Sequence, residues 1–359
     1  MTKSIIISHL FGLLLPFTMI AQTHPVPAST MQRVYDEVKT PYKYGLVLLP
    51  DNNDKMVDSP SIFRHKGEWY MTYIVYDGRG YETWMAHSPD LLHWTTLGRL
   101  MSFTANTWDA NQKAGYIALQ DYTWGGGYKV KKFRGKYWMS YLGGANEGYE
   151  AGTLGIGMAY SKKLVAINEW QRLEHPVLLP GDADARWYDN ATIFKSTVIR
   201  DRSKSLGYPF VMYYNAKSKE ANGAERIAMA VSNDMKNWKR YGDQPVIDHH
   251  TGISGDAFIT RMDDLWVMFY FGAFWKPGAF DRFACSYDLV NWTDWDGDDL
   301  VGPSEPYDIK YAHKPFVIKY NGVVYHFYCA VDQDNQRGIA VATSVDMGKS
   351  ALHFHIPKC

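Results

Sequence analysis

The chain has 359 residues, 46% hydrophobic and 15% aromatic, and its 38 Lys and Arg balance 38 Asp and Glu for a formal net charge of zero. Balanced charge without a basic stripe argues against a nucleic-acid partner, and three cysteines do not make a disulfide framework. The length suits one domain built from small sheets that share a circular core.

Residues 1–21 place Lys3 ahead of an apolar stretch through Ile5, Leu10, Leu13, Leu14 and Phe17, with Ala21 before Gln22. This is the pattern of a signal peptide, so a periplasmic or extracellular location is expected. The stretch is short and interrupted by Ser8, His9 and Pro16, and no membrane span is expected. Residues 22–50 read as an N-terminal extension. Within it Val34 and Val38 stand at helical spacing, which predicts a short helix from Thr30 to Thr40, ended by Pro41. That helix would either cover the underside of the domain or serve a dimer contact, and the oligomeric state is not legible.

Residues 51–359 are dominated by repetition. The phrase Ala-x-Ser-x-Asp-apolar-x-x-Trp occurs at Ala86–Trp94, Ala230–Trp238 and Ala284–Trp292, with weaker copies at Ala159–Trp170 and Ala342–Asp346. Recurrence at tens of residues signals stacked copies of one supersecondary unit. Upstream of the phrases lie pairs of apolar strands joined by tight turns: Ser61–Tyr73, Tyr128–Met139, Thr192–Phe194 with Phe210–Tyr214, Ala257–Ile259 with Leu265–Tyr270, and Phe316–Ile318 with Val323–Tyr328. The predicted fold is all-β, a five-bladed β-propeller with a short N-terminal helical segment. The phrase itself reads as a turn, with Ser and Asp bonding nearby backbone and Trp filling space between blades. Cys285 and Cys329 fall in apolar strand patterns and are expected to be buried small hydrophobes; Cys359 sits at the tail.

The residue opening the innermost strand of each blade should face the axis. Aligned on their turns, the hairpins put Asp58, Asp189, Asp256 and His313 there, whereas the second blade offers Gly126, with Asp121 shortly before it. Clustered acids cost free energy unless a substrate, proton or cation offsets them, so the cluster points to a site. Loop aromatics, among them Trp108, Tyr122, Trp124, Trp187, Trp275 and Tyr307, are candidates for a sugar-stacking rim. Arg79, Arg186 and the neighbours His249 and His250 are further loop candidates for substrate contact.

The Asp-Ser-Pro-Ser-Ile-Phe run from Asp58, the Gly-Glu-Trp-Tyr-Met run from Gly67 and the Ser-x-Asp-x-x-x-Trp endings together resemble the five-bladed propeller glycoside hydrolases, from about Val57 to Asp346. That superfamily includes families 43, 32, 117 and 130. The resemblance implies a secreted, inverting glycoside hydrolase of the exo type, acting on a terminal furanose or anhydro sugar of a plant or algal polysaccharide. By analogy with family 43, Asp58 matches a general base, but the second blade lacks the expected Asp and the third offers Asp189 where a Glu acid belongs. Family 117 implies a blade-five histidine as acid, which His313 beside Asp256 resembles. Glu305 is the reserve acid.

The implied roles are therefore catalytic for Asp58, Asp189, Asp256, His313 and Glu305, and substrate-binding for Asp121, Trp124, Arg79, Trp187, His250 and Trp275. No metal ligand is assigned and no cofactor is required, although a structural Ca²⁺ in the channel, with His313 near its shell, stays open. The alternative is a catalytically silent carbohydrate-binding propeller. Phosphorolysis as in family 130 would need a basic phosphate cluster, of which the sequence gives no convincing sign.

Overall fold

The computed structural model describes residues 25–52, 54–219 and 223–354. The predicted leader, residues 1–21, and Cys359 lie outside them. The chain first forms helix α1 (Ala28–Val38), whose Met31, Val34 and Val38 are buried. Twenty strands follow among the described residues: β1 (Tyr42–Leu48), β2 (Met56–His65), β3 (Glu68–Tyr76), β4 (Tyr81–Ser88), β5 (Thr95–Met101), β6 (Gln112–Ile117), β7 (Tyr137–Gly144), β8 (Leu154–Ser161), β9 (Gln171–Arg172) and β10 (Thr192–Arg200). The second half holds β11 (Phe210–Lys217), β12 (Glu225–Ser232), β13 (Trp238–Tyr241), β14 (Ile253–Met262), β15 (Leu265–Ala273), β16 (Ala279–Ser286), β17 (Thr293–Asp294), β18 (Tyr311–Tyr320), β19 (Val323–Val331) and β20 (Arg337–Thr343).

Pairing sorts these strands into four-stranded antiparallel meanders, β2 to β5, β6 to β9, β10 to β13 and β14 to β17, followed by β18 to β20 with β1 as its outer strand. β1 lies within the predicted extension, so the repeat-built region starts at Tyr42 and not at residue 51. The reason is chain connectivity: an early strand supplies the outer edge of the last unit and so ties the two halves of the molecule together. The innermost strands pack side by side, β2 on β6, β6 on β10, β10 on β14, β14 on β18 and β18 on β2. Single parallel bridges, Tyr81 to Gln112 and Glu225 to Ile253, join neighbouring meanders.

The repeated phrase is a turn. Ser88 Oγ accepts from the Asp90 and Leu91 amides, Asp90 Oδ1 accepts from Leu92 and His93, and Trp94 Nε1 donates to the Leu91 carbonyl. The same Ser and Asp bonds recur at Ser232 with Asp234 and at Ser286 with Asp288. Leu91, Met235 and Leu289 hold positive φ of 73°, 66° and 71° and bury their side chains completely. The backbone strain is therefore offset by apolar burial and satisfied amides.

Helix α1 acts as a cover. Tyr35 stacks on Trp295 at 5.1 Å, and Glu37 accepts from Trp124 Nε1 at 2.7 Å and Lys319 Nζ at 2.5 Å, so its buried face is engaged within the chain. Trp124 is thereby a packing residue. The second meander departs from its predicted hairpin: its first strand is β6, and the stretch from Tyr128 to Lys136 contributes only isolated bridges. Cys285 and Cys329 are buried free thiols.

Candidate active site

Four of the innermost strands carry the same irregularity. Register shifts lie between Asp58 and Ser61 in β2, Ile193 and Ser196 in β10, Gly255 and Phe258 in β14, and His313 and Phe316 in β18. A bulge inserts unpaired residues and re-aims their side chains. Ser59, Asp256 and Lys314 hold these positions at φ of 48°, 57° and 66°. Aligned by pairing, Asp58 matches Gly255, His313 and Ile193, whereas Asp256 matches Ser59 and Lys314. The sequence alignment is thus a residue out at Asp256, and in the third meander it stops too early, at Asp189.

These side chains meet in a cavity of about 290 Å³ lined from every meander, by Asp58 and Tyr81, Tyr116 and Glu150, Lys195 and Glu225, Asp256 and Phe271, and His313, Lys314 and Arg337 among others. Lys314 Nζ lies 2.6 Å and Arg337 3.2 Å from Asp58 Oδ2, and the Ser59 amide donates to Asp58 Oδ1 at 2.7 Å. Burial alone would raise the Asp58 carboxyl, but these two cations hold it well below the usual carboxylate range. Asp256 accepts from Asn215 Nδ2 at 2.9 Å and faces Lys195 Nζ at 3.3 Å.

Two glutamates complete the site. Glu150, on the loop after β7, accepts from Tyr81 at 3.1 Å; burial raises its carboxyl, assisted by Asp58 and Asp256 against the opposing pull of Lys314. Glu225 opens β12, where Lys217 lies 3.6 Å away. Burial and then the charge of Glu150 push Glu225 up to about 7, an ordinary carboxyl lying near 4.5. Neither is legible from the first strand of each repeat, because Glu225 starts a third strand and Glu150 sits in a loop. Lys195 and Lys314 lie inside the bulges and Arg337 opens a third strand, so one axis-facing residue per first strand passes over all three; a charged residue at the start of an otherwise apolar strand was the available signal for Glu225.

The structure disperses several expected residues. Asp189 lies outside the cavity, accepting from Tyr214 at 2.8 Å and from Arg240 Nε at 2.5 Å, a buried ion pair beneath the third meander. Glu305 faces Lys349 at 3.7 Å in a separate cavity with Lys43 and Tyr42. Neither can act beside Asp58. His313 does line the cavity, but burial, reinforced by Lys314 and Arg337, depresses it to about 3, outweighing Asp58 and Asp256. Its Nδ1 lies 3.2 Å from the Cys329 carbonyl, which the neutral ring satisfies by donation. The imidazolium expected as acid is therefore disfavoured.

None of the expected binding residues lines the cavity. Asp121 accepts from the Thr123 amide in a turn, and Arg79 donates to Asn111 and packs over Phe103. Trp187 packs on Arg226, next in sequence to Glu225; His250 is exposed beside Asp248; Trp275 stacks on His249 at 4.0 Å. Among the described residues no three His, Cys, Asp or Glu side chains form a group that could hold a metal ion. Asp58 and Asp256, the carboxylates a channel Ca²⁺ would use, already face Lys314, Arg337 and Lys195, so the donor set does not fit that cation.

A polar cavity with neighbouring carboxyls, lined from every four-stranded meander, fits the class that close similarity shows: the chain belongs to the propeller glycoside hydrolases. It is 50% identical to the protein in a structure described as a BT0996 RGII complex, covering 93% of this chain and all of that one at a TM-score of 0.90. A second structure, described as a glycoside hydrolase, is 49% identical with the same coverage and TM-score. A thermostable family-43 glycoside hydrolase shares the fold at 14% identity and a TM-score of 0.60, over 87% of this chain and 97% of its own. No family model and no curated protein matches the chain.

Proposed function

We propose that the protein is an exo-acting glycosidase that removes one terminal sugar from an oligosaccharide, with Glu225 as the general acid and Glu150 as its carboxylate partner. The observation that carries this reading is the mutual influence of two half-buried carboxyls, one raised to about 7, in a cavity sized for a single sugar ring. An acid must hold its proton at working pH while its partner ionises, and burial plus mutual charge separates the two titrations. The cavity lies at the lower limit of small-molecule pockets, which run from about 300 to 1,000 Å³. A pocket of this size suits one terminal ring, which supports the exo reading.

Asp58 keeps the site's charge and does not carry the proton: both its oxygens are engaged and Lys314 and Arg337 neutralise it. We assign Lys195 the matching charge-balancing role at Asp256, in place of a metal ion. The five meanders are read as the blades of a closed five-bladed propeller, supported by the packing of β18 on β2. The leader pattern supports export to the periplasm or beyond, and among the described residues no helix is long and apolar enough to cross a membrane.

The name of the 50%-identical relative makes RGII-type oligosaccharides the first substrates to try. A panel of these with aryl furanosides and anhydro-sugar oligosaccharides, read by NMR, tests the reading; heat of binding without any new reducing end would favour the silent-binder alternative. Retention requires carboxyls about 5–5.5 Å apart and inversion about 6.5–9.5 Å. The inverting course implied by the resemblance makes Glu150 the base that activates water. A first-formed anomer that keeps the substrate's configuration would make it the nucleophile.

A further inference from the structure

Phe274 is 60% exposed, more than any other large apolar side chain among the described residues, and it lines the mouth of the cavity. Its backbone holds φ at 66°, a conformation that bulky residues avoid. The loop around it is firmly seated: the Phe274 amide donates to the Gly278 carbonyl at 3.3 Å, and Trp275 Nε1 donates to the Ile253 carbonyl at 2.9 Å. Gly252 lets this loop approach closely, since a Cβ there would lie 2.3 Å from the Ala273 carbonyl oxygen. The ring of Phe274 meets Tyr311 in a T-shaped arrangement at 6.0 Å and 88°, and most of the side chain stays exposed at the mouth.

The other exposed aromatic at the mouth behaves differently. Tyr149 is 43% exposed, but its hydroxyl accepts from Arg337 at 3.1 Å and its ring packs on Tyr76 and Tyr81. Internal contacts account for Tyr149; they do not account for a strained, outward-facing Phe274. Strain and exposure together cost free energy, and such costs persist where a function uses the geometry.

We propose that Phe274 is the platform for the leaving-group sugar, which packs the apolar face of its ring on the phenyl face just outside the scissile bond. This rests on the reading of Glu225 and Glu150 as the cleaving pair. A cavity that holds one ring forces the next ring of the substrate to the mouth, where Phe274 stands, and an aromatic face suits the C–H face of a pyranose or furanose.

The test compares Phe274→Ala and Phe274→Trp with the wild type on two substrates that share the terminal sugar: an RGII-type oligosaccharide, and the corresponding glycosyl fluoride, which has no leaving-group ring. Burying a phenyl face against a sugar predicts a loss of about tenfold to a hundredfold in kcat/KM for Phe274→Ala on the oligosaccharide, carried by KM. That loss should exceed the loss on the fluoride at least tenfold, with Phe274→Trp restoring it. Equal losses on the two substrates, or none on the oligosaccharide, would overturn the proposal. A wild type that cleaves neither substrate while binding the oligosaccharide would instead bring down the glycosidase reading beneath it.

Discussion

Replacing Glu225 with Gln should make the protein more stable and nearly inactive, with a pH dependence that follows from burial. In the unfolded chain this carboxyl ionises near 4.5; in the folded protein it does so only near 7. As pH rises between those values the wild-type folded state increasingly resists an ionisation that the unfolded state accepts, so it loses stability relative to an unionisable glutamine. At about 1.36 kcal/mol per decade, the interval amounts to about 3 kcal/mol. Urea unfolding of wild type and Glu225→Gln from pH 4 to 9 should show nearly equal stabilities at the acid end. The variant's advantage should grow through pH 5 to 7 and level off above. Because Glu150's charge is part of the cause, the advantage should shrink when both proteins also carry Glu150→Gln. Turnover by Glu225→Gln should fall about 10²- to 10⁴-fold, the usual scale for removing a general acid. A stability difference that stays flat across this range would refute the assignment of a half-buried, proton-holding carboxyl.

Asp58→Asn leaves Lys314 and Arg337 without their buried counter-ion, and the expected cost is about 3–5 kcal/mol in urea unfolding. Since the folded carboxyl is depressed, that cost should be full above the ordinary value of 3.8 and fade as pH falls below it. Asp58→Asn with Lys314→Met should be less destabilised than Asp58→Asn alone, and a larger loss would refute the pairing. Asp189→Asn should lower stability by less than this, since Arg240 keeps Asp182 and Asp184, while leaving KM near wild type, which a Michaelis series on folded protein checks. His313→Gln should leave the limb of the pH–rate profile near 7 in place, because the neutral imidazole does not supply it; disappearance of that limb would return the acid role to His313.

The repeats were readable because their chemistry is local. Ser88, Asp90 and Trp94 bond to backbone within a few residues of themselves, so the same turn forms wherever the phrase recurs, and the strands between follow from alternating apolar residues. Strands also outline the site in part: Asp58, Asp256 and His313 do face one cavity. Asp189 was misplaced because the apolar run from Thr192 looks like the run from Ser61, whereas pairing with β11 makes Ser196 the equivalent of Ser61, four residues further on, and register depends on pairing with another strand. Glu150 escaped notice because its surroundings are set by Tyr81 and by distant charges.

Order along the chain therefore determined by itself the all-β character, the repeated turn and several of the channel-facing groups, since these rest on contacts between near neighbours. Folding in three dimensions decided which charges meet. Lys314 lies 256 residues from Asp58 and Arg337 lies 279 away, yet both reach the same carboxylate oxygen. A carboxyl's proton affinity is set by burial and by every charge within a few ångströms, whatever their separation along the chain, so Asp58 as a fixed anion, His313 as a neutral ring and Glu225 as the proton holder emerge only in the assembled cavity.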